Sequence, residues 1–130
     1  MNIGDVIAEE TAVMIQWMRE HPEAMPEHLR IRLARGEEPT TWDINNGFCE
    51  HLSEAVAERV AGAESVPAYD PELHPFREDG GWDVDHFVVA FEGRFYDCDC
   101  PEGVEAVREL PIYRNRGKTR AQVLAERSRA

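Results

Sequence analysis

The chain has 130 residues, 42% of them hydrophobic, enough for one domain with a core of its own and too many to need staples. Its formal charge is −12, and the charge is uneven: residues 1–113 hold 8 basic and 25 of the 26 acidic residues, about −17 in all, so that body repels nucleic acid. Three cysteines are an odd number and point to free thiols rather than a disulfide framework; no run approaches a membrane span, and Met1–Asp5 lacks the basic and apolar regions of a signal peptide, so a cytoplasmic protein without membrane contact is expected.

Ile3, Val6, Ile7, Met14, Trp17 and Met18 recur at helical spacing, so residues 3–20 read as an amphipathic helix closed by His21-Pro22, its stripe facing the core. Pro26 suits the first turn of a second helix, with Leu29, Ile31 and Leu33 as packing residues and Gly36 as terminator. Residues 37–46 then read as loop leading into a third helix, whose apolar positions are Leu52, Ala55, Val56 and Val60 and whose stop is Gly62. A short strand fits residues 65–69. Pro67, Pro71, Pro75, Gly80 and Gly81, with Tyr69, Phe76 and Trp82 among them, mark a binding or covering loop, in which His74 carries no assigned chemistry. His86–Phe91 reads as a strand that turns at Glu92-Gly93 and returns through Arg94–Asp97. Leu110, Ile112 and Tyr113 suggest a last strand. From Arg114 the chain turns basic, with Arg114, Arg116, Lys118, Arg120, Arg127 and Arg129, and reads as a weak helix or a solvated end.

Cys49 carries the chemistry. With Asn46 or Gly47 as N-cap it falls in the first turn of the third helix, where free backbone N–H groups and the helix dipole favour thiolate over thiol. A thiol nucleophile also needs a base, and His86 at the start of the strand is the candidate. The hairpin register selects the carboxylate that orients it. A two-residue turn at Glu92-Gly93 pairs Phe91 with Arg94, which sets Asp99 directly opposite His86 and Asp97 diagonal to it on the same face. A three-residue turn instead places Cys98 and Cys100 beside His86, and with Cys49 these make a Cys3His set of the kind that binds zinc. Cys-x-Cys is a poor knuckle spacing, so the expectation is no metal and no cofactor.

Gly47-Phe48-Cys49 opening a helix, then His86 opening a strand, then Gly93-Arg94-Phe95-Tyr96-Asp97 on its partner, resembles the papain-like and transglutaminase-like thiol hydrolase superfamily over residues 42–113, with residues 109–113 similar to the strand that often follows. The resemblance implies an α+β fold in which the nucleophile helix packs on an antiparallel sheet, residues 1–113 forming the domain and 114–130 a basic tail. It implies a triad of Cys49, His86 and Asp97, with Asp99 as the alternative acid, acting on an amide or thioester of a protein, peptide or small amide. The oxyanion donors it implies are the Cys49 N–H and a side chain from Asn45, Asn46 or Trp42. Six residues before the nucleophile, where papain-like members carry glutamine, stands Asp43. Two other readings are an inactive papain-like binding or inhibitor protein, of the kind a phage encodes, acting through its acidic surface, and a zinc module built on Cys49, His86, Cys98 and Cys100.

Overall fold

The computed structural model of the protein describes residues 2–70, 86–115 and 118–129. Asn2 caps the first helix, α1 (Ile3–Glu20), its Oδ1 accepting the Asp5 N–H at 2.9 Å. Val6, Ile7, Thr11 and Met18 form its buried stripe, while Trp17, expected in that stripe, is 42% exposed. It stacks on His21 instead, one turn away, with ring centroids 5.0 Å apart. Helix α2 (Glu27–Ala34) follows Pro26 as expected; it buries Leu29 and leaves Ile31 exposed.

The segment expected to be loop contains a short helix, α3 (Thr41–Asn45). Its capping box explains why: the Thr40 N–H donates to Asp43 Oδ2 at 3.0 Å, and the Thr40 side chain answers the N–H of Asp43. A turn through Gly47 then starts α4 (Cys49–Arg59), whose N-cap is Phe48 rather than Asn46 or Gly47. Helix α4 buries Leu52, Ser53 and Val56, and ends before Gly62.

The sheet is a four-stranded antiparallel meander in the order β1 (Glu64–Pro67), β2 (Phe87–Phe91), β3 (Arg94–Asp97) and β4 (Cys100–Val104). Together with the helices it makes the fold α+β. Glu92 and Gly93 both take positive φ, 49° and 77°, the two-residue turn that suits a twisted hairpin, and Phe91 pairs with Arg94. The second turn was not expected. Asp97 pairs with Cys100, so the chain reverses at Cys98-Asp99 and β4 begins there. Residues 104–113 hold no further strand; a 3-10 turn (Val107–Glu109) and a one-turn helix, α5 (Pro111–Arg114), occupy the place, as the φ-fixing Pro111 at a helix start favours. The basic end forms α6 (Arg120–Arg129). Residues 71–85, with His74 and most of the breaker-rich loop, lie outside the described residues.

Both faces of the sheet are covered. On one face Val89 and Tyr96 meet Val6, Ile7 and Val56 from α1 and α4. On the other, Val88 and Cys100 meet Val107, Leu110 and Tyr113. A third cluster of Met18, Met25, Leu29, Ile44, Leu52 and Cys98 ties α1 to α4 and fixes α3 beside them. No described helix is long and apolar enough to cross a membrane.

Gly103 sits in β4 at φ +76°, and a Cβ there would lie 2.5 Å from the Tyr96 ring. Gly103→Ala should therefore lower the unfolding free energy by about 1–3 kcal/mol, through both the backbone conformation and the clash. Gly47→Ala, where a Cβ meets nothing within 4 Å, should cost far less, and urea denaturation of the two variants checks the difference.

Candidate active site

Three elements converge on Cys49. Helix α4 supplies the thiol from its first residue, the residue just before β2 is His86, and the end of β3 supplies Asp97. His86, Val88, Phe95 and Asp97 follow the two-residue period onto the face covered by residues 107–113, and His86 meets Asp97 as its diagonal neighbour. The His86 Nε2–H donates to Asp97 Oδ2 at 3.0 Å, with side-chain exposures of 0% and 2%. Asp97 Oδ1 accepts the Asp99 N–H at 2.9 Å, so both its oxygens are engaged. The Tyr113 ring lies edge-on to the imidazole, centroids 6.2 Å apart.

The other ring nitrogen, Nδ1, is buried and makes no hydrogen bond of normal geometry. Cys49 is nonetheless close enough for the thiol and the imidazole to shift each other's titration. Burial opposes the charged forms of both groups, and in both the other causes outweigh it. For His86 the Asp97 bond, the Cys49 contact and their negative charge outweigh burial and raise its pKa to about 9. For Cys49 the His86 contact, the Phe87 N–H, the imidazolium charge and the Glu50 N–H outweigh burial and bring the thiol below its ordinary value. The Phe87 N–H donates to Cys49 Sγ at 3.5 Å.

Cys98 and Cys100 are different in kind. Burial, with the Asp97 and Asp99 charges added, holds the Cys98 thiol well above its ordinary value, and burial beside Glu102 pushes Cys100 up to about 12. Cys98 donates to Asn45 Oδ1 at 3.1 Å within one core cluster and Cys100 packs in another. The four residues of the zinc reading do not converge, and among the described residues no group of three His, Cys, Asp or Glu is placed to hold a metal.

Asp99 is bound elsewhere. It accepts from the Thr41 hydroxyl, from Asn45 Nδ2 at 3.5 Å and from Arg127 Nη2 at 2.5 Å. Cys49 opens into a cleft of about 580 Å³ walled by Trp42, Asn45, Asn46, Phe87, Asp99 and Tyr113, and by Val123 and Arg127 of α6. All three side chains expected as oxyanion donors border it. Asn45 is committed to Cys98 and Asp99, and Asn46 Nδ2 donates to Trp42 O at 2.8 Å while facing solvent. Cys49 is the first residue of α4, so its N–H has no acceptor within that helix. Asp43 is turned away, 2.5 Å from Arg32 Nη2 and almost fully buried.

Two features escaped sequence reasoning. The Phe87 N–H is a backbone donor that no residue type announces. The basic end docks on the body through Arg120 and Arg127, a contact that the opposite charges of the two segments could have suggested. Comparison with protein-family models, curated proteins and solved structures finds no match to this chain.

Between the lowered Cys49 value and the His86 value of about 9, the pair exists as thiolate and imidazolium. Alkylation of Cys49 at about pH 7 should be faster than that of a free thiol with a pKa of about 8.5, which is largely protonated there. His86→Ala removes the two contributions of the imidazole and leaves the burial and the Phe87 and Glu50 N–H groups, so the rate at about pH 7 should fall, by about tenfold for each unit the thiol pKa rises. Asp97→Asn keeps the acceptor for the Asp99 N–H but loses the charge that raises His86, and should close the window from its alkaline side. Asp99→Asn should leave that edge in place. Peptide mapping after timed iodoacetamide exposure reads all four proteins, with Cys98 and Cys100 as slow internal references.

Proposed function

We propose that the protein is a cysteine-nucleophile hydrolase or acyltransferase of the papain-like kind, with Cys49 as nucleophile, His86 as general acid and base, and Asp97 as the group that orients the imidazole. The observation that carries this reading is the division of the His86 ring: Nε2 is committed to a buried carboxylate, Nδ1 is buried without a partner, and the ring lowers the pKa of the Cys49 thiol. A structural histidine in a core satisfies both nitrogens; this one keeps a buried nitrogen for a proton that moves.

The chemistry follows from these groups. The Cys49 thiolate attacks the carbonyl carbon of an amide or thioester, a carbon–sulfur bond forms, and the carbonyl oxygen takes the negative charge. The helix-start N–H of Cys49 is the donor best placed to receive that oxygen, with the exposed Asn46 amide as the side-chain candidate. Imidazolium then gives its proton to the leaving amine or thiol as the acyl–enzyme forms. Water or an acceptor amine, deprotonated by the now neutral His86, releases the acyl group and restores the thiol pair. Asp97 holds the ring and favours its charged form throughout.

A second reading, a binding protein that has lost catalysis, draws on Asp43. It stands where papain-like members carry their oxyanion glutamine, and Arg32 locks it away from the cleft. Turnover separates the two. On a fluorogenic peptide-amide and thioester panel, the catalytic reading expects turnover that Cys49→Ala abolishes. It expects His86→Ala to lower kcat/KM by about 10³-fold or more, and Asp97→Asn to lower it by less. Absence of acylation of Cys49 by every activated ester and thioester tried, with the thiol still alkylating fast, would favour the binding reading.

A further inference from the structure

The cleft beside Cys49 already holds a ligand of a kind, the chain's own Arg127. Its two terminal nitrogens are divided between two acceptors: Nη2 donates to Asp99 Oδ2 at 2.5 Å and Nη1 to Thr41 Oγ1 at 2.8 Å. Those acceptors are prepared for it. The Thr41 hydroxyl donates to Asp99 Oδ1, which leaves its oxygen lone pairs toward the guanidinium, and the Asn45 amide steadies Oδ2 from the protein side at 3.5 Å. A planar fork matches two such acceptors side by side, and a single ammonium nitrogen does not span them in the same way.

The helix that brings Arg127 is held largely by polar contacts. Of its side chains only Val123 is buried among the described ones, and Arg120 contributes ion pairs of 3.5 Å to Glu37 and 3.8 Å to Asp43 and lies 5.9 Å over the Trp42 ring. It is also one of the few basic segments of an acidic chain, so the body that receives it attracts any other cationic segment too. Asp99, Arg127 and Cys49 border the same cleft.

We infer that the Asp99–Thr41 end of the cleft is a guanidinium subsite that selects arginine-bearing peptides for Cys49, and that α6 fills it in cis with Arg127. A substrate or partner with an arginine side chain displaces Arg127 and lifts α6 from the cleft. The tail therefore competes with substrate at a high effective concentration. This deepens the reading of Cys49 as the nucleophile, since it names the chemistry beside it.

The test compares two dipeptidyl chloroacetamides that differ only in an arginine or a citrulline side chain, the latter uncharged and nearly isosteric. In each the Cys49 sulfur bonds to the methylene carbon, the carbon–chlorine bond breaks and chloride leaves. In Arg127→Ala the arginine probe should label Cys49 about tenfold faster than the citrulline probe, the scale expected of a charge-assisted paired contact. In the wild type the ratio should be smaller, because Arg127 competes. In Arg127→Ala with Asp99→Asn it should return to about one. Arg127→Gln, which keeps the apolar stem against the cleft wall, should repeat the result if Arg127→Ala loses stability.

Iodoacetamide, which has no side chain to place, is the control. Equal arginine and citrulline rates in Arg127→Ala and Arg127→Gln, or a preference that survives Asp99→Asn, overturn the subsite. If that happens while iodoacetamide labelling remains dependent on His86, the subsite alone has failed. If iodoacetamide labelling ignores His86, the nucleophile reading has failed, and the probe ratio still decides the subsite.

Discussion

The site depends on a charge pair kept almost free of water, His86 with Asp97. Such a pair is costly to bury, and the cost is offset only where the remaining polar atoms find partners. Asp97 meets that condition through the Asp99 N–H on its second oxygen. His86 does not, because Nδ1 has no hydrogen bond of normal geometry, and this departure is the observation on which the proposed chemistry rests. The carboxylate fixes which nitrogen is left over.

The surrounding layers explain why the arrangement holds. Val56 and Leu52 anchor α4 in two different clusters, so its first turn cannot slide along the sheet without breaking both. Tyr113 and Leu110 close the opposite face over His86, and the tight reversal at Cys98-Asp99 ends β3 just after Asp97. That reversal has a further effect: it sends Asp99 away from the imidazole and toward Thr41 and Arg127. Two aspartates two residues apart thereby serve different partners, one inside the sheet and one on the cleft wall.

Much of this frame was legible from residue patterns. The bounds of α1, the helix carrying Cys49 at its mouth and the Glu92-Gly93 hairpin follow from periodicity and turn chemistry, which are local properties. What was not legible depends on partners distant in sequence. Trp17 fits the α1 stripe by spacing, but the core takes Thr11 and Met18 and leaves Trp17 to His21. Residues 41–45 look like loop until Asp43 is seen to close a capping box and pair with Arg32. Residues 110–113 carry strand-forming types, yet Pro111 and the packing on His86 make them a helical turn. At the site, Cys49, His86 and Asp97 could be nominated from chain order and register. The second reversal could not, because Cys98-Asp99 lacks the glycine that usually announces a tight turn, and the choice between Asp97 and Asp99 turned on it.

The central claim is that the Cys49 thiol and the His86 imidazole titrate as one coupled pair. Coupling is reciprocal: whatever His86 does to the thiol pKa, Cys49 must do to the imidazole pKa, by the same free energy. The most direct measurement follows the His86 ring by NMR through a pH titration of wild-type protein and of Cys49→Ser, alongside thiolate absorbance in wild type and His86→Ala. The account predicts an imidazole that titrates near 9 in the wild type and clearly lower in Cys49→Ser, with an equal and opposite displacement of the thiol in His86→Ala. A His86 titration that is the same with and without the Cys49 sulfur would contradict it.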